Sequence, residues 1–337
     1  MKTRVGFSFK PNESLKAAFI EALRADEYDL IIPEENPEQD WIDEHLAEVD
    51  IYLGWRPTED YLRSNKNLKL VINPGAGIWH QVSKLGPVYK ELDIALCNGH
   101  GNDYFTAQHA VSLLLSACNR LGIHERKMRN GEWRSSDADG MSIPLLNRNV
   151  GLLGYGHINQ HVHSFLQGFQ VDFFLMRNSW EGKKEPAVRY EQKYEQGQLN
   201  EFLKAIDILI LAVPELPETV DLIGDKELDL LGEGAVLVNV ARGKVVNEEA
   251  LFNALKNNKL SAAGIDVWYE YQPEADDEGK KYPYHFPFHE IEHAALSPHR
   301  GGSPLQDLYR WQGVFDNIIA FRKGEKLPNL VDLDAGY

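Results

Sequence analysis

Apolar residues run along this chain in short blocks, separated by stretches in which they recur every three to four positions. The blocks RVGFSF (4–9), DLIIP (29–33), VDIYLGW (49–55), LKLVINP (68–74) and LDIALCN (92–98) are short and nearly continuous in apolar content. That pattern predicts strands buried on both faces, as in a parallel sheet. Intervening stretches such as SLKAAFIEALRA (14–25) carry the helical period and read as crossover helices. The long apolar stretch TAQHAVSLLLSACNR (106–120) predicts a helix, and the polar segment HERKMRNGEWRSSDADG (124–140) follows it. A second βα series then begins. Its strands are NVGLLG (149–154), VDFFLM (171–176), DILILAVP (207–214), AVLVNVAR (235–242), AAGIDVW (262–268) and HAALSPH (293–299), and LQDLYRWQGVFDNIIAFRKGE (305–325) is the last helix. Alternation of this kind predicts an α/β chain of two doubly wound parallel sheets with a cleft between them.

Length supports two domains, since 337 residues exceed what one typical core holds. Two cysteines, Cys97 and Cys118, exclude a disulfide framework and a cysteine zinc site, and they suit a reducing, cytoplasmic setting. No apolar run approaches the roughly 18 residues of a membrane span, and the start MKTRVGFSFKPNES lacks the apolar core of a signal peptide. A net charge of −16 argues against nucleic acid or an anionic membrane as partner. Any anionic ligand must therefore be held by a few local cations and by backbone N–H groups. The charged stretches PEADDEGKKYP (273–283) and SWEGKKEPAVRYEQKYEQ (179–196) read as solvated loops.

The stretch VGLLGYGHINQHV (150–162) ends a strand and opens a helix, which is where a dinucleotide-binding loop belongs. Gly154 would make the tight turn. Gly156 would let backbone approach a pyrophosphate at the helix N-terminus. Asn159 stands where a third glycine is usual, and its bulk predicts a helix displaced slightly outward. An acid about twenty residues on selects NAD, but that count lands on Leu175. Asp172 lies too early in the strand, and Arg177 follows the strand end. A guanidinium in place of a carboxylate favours NADP(H) over NAD(H). The alternative is an Arg177 that faces solvent in a protein that accepts both.

Further motifs, VNVARGKVVNEEAL (238–251), LSPHRGG (296–302), AVPELPETVDLIG (212–224), AGIDVW (263–268), LKLVINPGAGIWHQV (68–82) and NDYFTAQHAVSLLL (102–115), resemble in their order the D-isomer-specific 2-hydroxyacid dehydrogenases. Gln108 stands where that family usually has Glu. The resemblance implies a Rossmann nucleotide-binding domain (119–302) and a smaller, discontinuous, flavodoxin-like substrate domain (1–118 with 303–337). It implies hydride transfer between NAD(P)H and a small 2-oxo or D-2-hydroxy acid, run by a homodimer whose domains close on the substrate. Arg242 would clamp the substrate carboxylate and polarise the carbonyl, and His299 would exchange a proton with the carbonyl oxygen. Ala76, Gly77 and Asn102 would bind substrate. The coenzyme would be held by Thr106, Gly154, Tyr155, Gly156, His157, Ile158, Arg177, Asn178, Val213, Pro214, Val240, Ala241 and Asp266, the last on the nicotinamide carboxamide.

Without the resemblance, Arg242 is a strand-end cation and His299 a loop histidine. Their placement on neighbouring strand ends of one sheet favours a shared site, because open α/β sheets bind ligands at carboxyl ends. The family's glutamate partner for the histidine falls here on Tyr271, between Glu270 and Gln272. Glu270 is the expected partner through a shifted loop. Gln272 is the second choice, as in the formate dehydrogenase branch, and a histidine with no charged partner is the third. Two alternative functions follow: a formate dehydrogenase-like enzyme, and a cofactor-sensing binding protein without turnover. The pair His157 and His161 and the series His285, His289 and His293 have metal-ligand spacing but no accompanying HExxH or carboxylate triad, so no metal is expected. His80 and His109 have no evident base role. Trp55, Trp79 and Tyr104 are candidates for an acyl pocket or for ordinary core.

Overall fold

The computed structural model describes residues 1–134, 141–182, 186, 188, 192–302 and 307–336. Parts of the charged stretch 179–196, the end of the polar segment 124–140 and the start of 305–325 lie outside the described residues.

The chain divides into two compact units, Met1–Asn102 with Ser303–Tyr337, and Asp103–Gly302. In the first, the strands are β1 (Thr3–Phe7), β2 (Tyr28–Ile31), β3 (Ile51–Leu53), β4 (Leu70–Asn73) and β5 (Ala95–Asn98). They form a parallel sheet in the order β2-β1-β3-β4-β5, the flavodoxin-like order. One face packs Phe7, Phe19, Trp311, Phe315 and Ile318, and the other Tyr52, Tyr61, Val71, Tyr89 and Leu96. Burial on both faces explains why these strands read as apolar blocks.

The second unit holds β6 (Asn149–Leu153), β7 (Asp172–Met176), β8 (Lys193–Tyr194), β9 (Ile208–Leu211), β10 (Ala235–Asn239), β11 (Leu260–Ile265) and β12 (Ala294–Leu296). All pair in parallel, in the order β12-β11-β10-β9-β6-β7-β8. The winding reverses between β6 and β9, and such a switch point leaves a ligand crevice at the strand carboxyl ends. The glycine loop follows β6 there.

The helix Asp103–Cys118, expected to close the first unit, belongs to the second. It buries Ala107, Ala110, Leu113, Leu114, Ala117 and Cys118 against the sheet residues Val150, Val236, Val238 and Ala262. Gly264 of β11 makes that approach possible, since a Cβ there would lie 2.8 Å from Leu113 Cβ and 3.2 Å from its carbonyl carbon. Among the described residues no helix is long and apolar enough to cross a membrane.

Gly264→Ala is expected to destabilise the second unit by about 1–3 kcal/mol through overpacking. Thermal melting checks this: a lower midpoint with normal far-UV ellipticity is the expected result, and an unchanged midpoint would refute the close approach.

Candidate active site

β6 delivers the chain to Gly154, which turns with φ +84°. A Cβ here would lie 2.7 Å from both Ala212 O and Val213 Cγ1, so both conformation and space require glycine. The N–H groups of Gly154 and Tyr155 both donate to Met176 O, at 3.0 and 2.9 Å, which joins the loop to the end of β7. Gly156 caps the helix His157–Leu166. Nothing lies within 4 Å of where its Cβ would be, so backbone can be approached closely here, and the positive dipole end of the helix favours an anion. The cradle fits a dinucleotide pyrophosphate.

Asn159 does not act by bulk. It is completely buried, and its Nδ2 donates to Leu153 O (3.1 Å), Gly154 O (3.2 Å) and Ile210 O (3.4 Å). The side chain thus staples the loop to β6 and β9. Tyr155 is also buried, with its hydroxyl 2.8 Å from His163 Nδ1. Burial lowers the His163 pKa and favours the neutral ring.

At the end of β7, Leu175 is fully buried and therefore turned away from any ribose. Asp172 is exposed at the start of the strand. Arg177 is half-buried, with its guanidinium 5.4 Å from the centroid of the Trp180 ring. Lys193 Nζ lies 5.7 Å from the same ring, and Trp180 Nε1 donates to Tyr194 O at 3.1 Å. The carboxyl end of β7 thus carries two cations, and the Glu195 carboxylate accepts from Trp180 N at 2.8 Å beside them. Asn178 follows in an exposed bend. After β9, Val213 packs on Gly154, and Pro214 O accepts from Thr219 Oγ1 at 2.7 Å.

β10 ends at Asn239, which is 1% exposed and works as a turn clamp. Its Oδ1 accepts from Ala241 N and its Nδ2 donates to Arg242 O, both at 3.0 Å. Val240 and Ala241 are buried. Arg242 is extended (φ −145°, ψ 151°) and half-buried, and its Nη1 donates to Ala241 O at 2.6 Å. The next residue must be glycine, because a Cβ on Gly243 would lie 2.2 Å from Trp268 O.

Asp266, 2% exposed, organises the segment after β12. Its Oδ1 accepts from Ser297 Oγ (2.6 Å) and Arg300 N (2.7 Å), and its Oδ2 from Gly301 N (2.8 Å). His109 Nε2 stands 3.2 Å from Oδ1 and 2.9 Å from Ser297 Oγ. Burial pushes the carboxyl up, but the donors from His109, Ser297, Arg300 and Gly301 outweigh it and hold the group below the ordinary 3.8. With two donors bracketing it, His299 is held in the left-handed region at φ +55°. The residue is exposed to solvent. Partial burial of the ring, then the Arg242 charge, lowers its pKa below 6.5, Arg300 adds to the shift and Asp266 opposes it.

The expected partner Glu270 does not meet His299. Its side chain is exposed and accepts from Gln272 N at 2.7 Å, so the carboxylate caps its own turn. The ring against His299 is that of Tyr271, 5.3 Å away between centroids at 60°. Gln272 is exposed as well.

In the first unit, β4 ends in a polar network that holds the turn 74–78. Asn73 Nδ2 donates to Gly75 O (2.5 Å), Gln81 Nε2 to Asn73 Oδ1 (3.1 Å), Tyr89 hydroxyl to Gln81 Oε1 (2.9 Å), and Asn98 Nδ2 to Ala76 O (2.9 Å). Ala76 and Gly77 are exposed, and among the described residues neither N–H donates to a protein acceptor. Asn102 ends this unit, half-buried. Sequence reasoning missed the clamps Asn73, Gln81 and Asn239. For Asn73 and Asn239 the signal was an amide at the end of an apolar strand, while Gln81, inside the helix Trp79–Glu91, gave none. Thr106, half-buried, lies in the first turn of the second unit's long helix. Asp103 Oδ2 stands 3.8 Å from both His157 Nδ1 and His161 Nε2. Among the described residues no group of three or more His, Cys, Asp or Glu is placed to hold a metal.

Residues 111–301 match the family model for the D-isomer specific 2-hydroxyacid dehydrogenase NAD binding domain. A glyoxylate reductase of Thermococcus gammatolerans is 34% identical over 233 residues, covering 67% of this chain and 66% of its own length. This chain therefore spans just under two thirds of that relative. A glyoxylate reductase of Thermococcus onnurineus is 31% identical over 320 residues, covering 87% of this chain and 88% of its own. Among solved structures, a D-isomer specific 2-hydroxyacid dehydrogenase of Xanthobacter autotrophicus in complex with NADPH and MES superposes with TM-score 0.76 over the full length of both chains, at 24% identity. A D-lactate dehydrogenase of Lactobacillus jensenii with NAD+ does so with TM-score 0.74, covering 98% of this chain and all of its own, at 20% identity. At such identities the superpositions show a shared fold. The strand order, the open glycine cradle and the matched motifs agree: the chain belongs to the D-isomer specific 2-hydroxyacid dehydrogenase family, oxidoreductases that move a hydride between a nicotinamide dinucleotide and a 2-oxo or 2-hydroxy acid.

Proposed function

We propose that this chain is an NADP(H)-preferring reductase of short 2-oxo acids, glyoxylate first among them. One observation carries the reading. Arg242 follows the carboxyl end of β10 and His299 that of β12, two strands flanking β11 in the sheet that bears the phosphate loop, and the Arg242 charge depresses the His299 pKa. The bound dinucleotide supplies the hydride. Gly154, Tyr155, Gly156, His157 and Ile158 line its pyrophosphate cradle, and Thr106, Asn178, Val213, Pro214, Val240 and Ala241 complete its walls. Asp266 Oδ2 accepts one protein hydrogen bond, and its remaining lone pair is assigned to the carboxamide. Arg242 holds the substrate carboxylate and polarises the carbonyl with its planar fork. The Ala76 and Gly77 N–H groups and Asn102 are assigned to the substrate. As hydride reaches the carbonyl carbon, the His299 imidazolium gives its proton to the carbonyl oxygen, which leaves a 2-hydroxy acid and neutral imidazole.

Two features favour NADP. The position twenty residues after the glycine loop, where an acid would select NAD, is the apolar Leu175, and the strand end carries Arg177, whose charge suits a 2′-phosphate. Homodimerisation is proposed as well, on the exposed Leu121, Met128 and Trp133 of the second unit, and sedimentation of the purified chain tests it.

The assay is a panel of 2-oxo acids with NADPH and NADH in parallel, plus formate with NADP+. Turnover of glyoxylate with NADPH is expected, and no turnover of any 2-oxo acid would refute the reading. Arg177→Ala is expected to weaken NADPH binding on the order of 10- to 100-fold, from loss of a charge-assisted contact, and NADH little. Equal losses would sink the preference. Reduction needs protonated His299, whose pKa lies below 6.5. The reduction rate is therefore expected to be full in acid and to fall as pH rises through that lowered value, with oxidation showing the opposite limb. A reduction rate that holds flat up to pH 8 would exclude His299 as the donor.

A further inference from the structure

In this family fold a catalytic histidine needs its ring held in one orientation. A hydrogen-bonded carboxylate does that and also raises the pKa of the ring. Here the two effects have come apart. Among the described residues no carboxylate is within ion-pair distance of His299. Glu270 is turned into its own loop, and Asp266 is spent on Ser297, Arg300 and Gly301.

What does touch the ring is Tyr271, with 5.3 Å between centroids and planes at 60°. This edge-to-face arrangement sets the positive edge of one ring toward the negative face of the other. Partial burial raises the phenol's pKa, while the Trp268 backbone and the Arg242 charge oppose that shift and Asp266 and Glu215 add to it. The residue is 54% exposed, and besides the His299 ring its phenol meets the Trp268 backbone.

We propose that Tyr271 is the positioning residue of His299, fixing the imidazole by ring contact where the family uses an acid, so that orientation is kept without a charged partner. The inference rests on His299 being the proton donor of the reading above. The charged groups facing His299 are then Arg242 from the end of β10, Asp266 from the end of β11 and Arg300 from its own loop. Two of the three are cations, which disfavour the imidazolium. Such a site passes its proton readily to a carbonyl oxygen and regains it reluctantly.

The test uses the full chain with Tyr271→Phe, Tyr271→Ala and Tyr271→Glu, read in two ways. The first is kcat and KM for glyoxylate with NADPH across pH. Phe keeps the ring and is expected to match the parent in rate and profile. Ala is expected to lower kcat about tenfold through lost orientation with coenzyme affinity unchanged. Glu is expected to carry the alkaline limb of reduction upward by about one pH unit. The second is the NMR titration of the His299 ring in the chain without substrate, which needs no turnover. Its midpoint is expected to stay with Phe and to rise with Ala and with Glu. If the parent reduces no 2-oxo acid, the proposed function fails, and the titration still decides the contact. Tyr271 is overturned if Ala leaves both rate and titration unchanged, or if Phe loses as much as Ala.

Discussion

The segment that carries His299 depends on one buried carboxylate. Asp266 gathers a serine hydroxyl, two consecutive backbone N–H groups and a histidine nitrogen, and so it fixes an irregular segment that has no ladder to hold it. A buried acceptor with this many donors is stable as the anion, and its lowered pKa is the signature. The contribution has a definite sign: it is present above the unfolded carboxyl value near 3.8 and is lost as pH falls through the depressed folded one. His299 owes its left-handed backbone to this arrangement, because the donors before and after it are committed to the same residue. A strained histidine at a strand end is what an over-determined site can hold and a surface loop cannot.

The opposite end of the same sheet edge is built from absences of side chain. Gly154 gives way to Ala212 and Val213, and Gly156 leaves the helix terminus uncovered. Gly243 gives way to Trp268 in the same manner. Each glycine permits one backbone approach, and together they bring β6, β9, β10 and the segment after β11 to a common surface. The cations then need only arrive at strand ends, which is where Arg177 and Arg242 stand.

Much of this was legible in the residues. Strands buried on both faces announce themselves as apolar blocks, and the motifs around Gly154, Arg242 and His299 carried their own spacing. Other features were not legible, for physical reasons. The two residues of β8, Lys193 and Tyr194, are too few to have a period, and they pair with Leu175 and Met176 only because β7 is already there. The helix Asp103–Cys118 was evident as a helix, but an apolar stripe does not say which sheet it will cover. Glu270 and Tyr271 differ by one position in an irregular turn, and there no periodicity decides which side chain faces inward. Asn159 was judged by volume, while its amide hydrogens decide its role.

That asparagine has a consequence for how the nucleotide cradle behaves. Nδ2 binds carbonyls from the end of β6, from the loop and from β9, while Oδ1, also buried, has no hydrogen-bond partner among the described residues. An unpaired acceptor in the interior is unfavourable, so the chain tolerates a local defect to gain a cross-brace. With the brace in place, the loop and two neighbouring strands behave as one stiff body before any ligand arrives. Little conformational entropy then remains to be lost on association, and the grip on a diphosphate comes ready-made from the sheet.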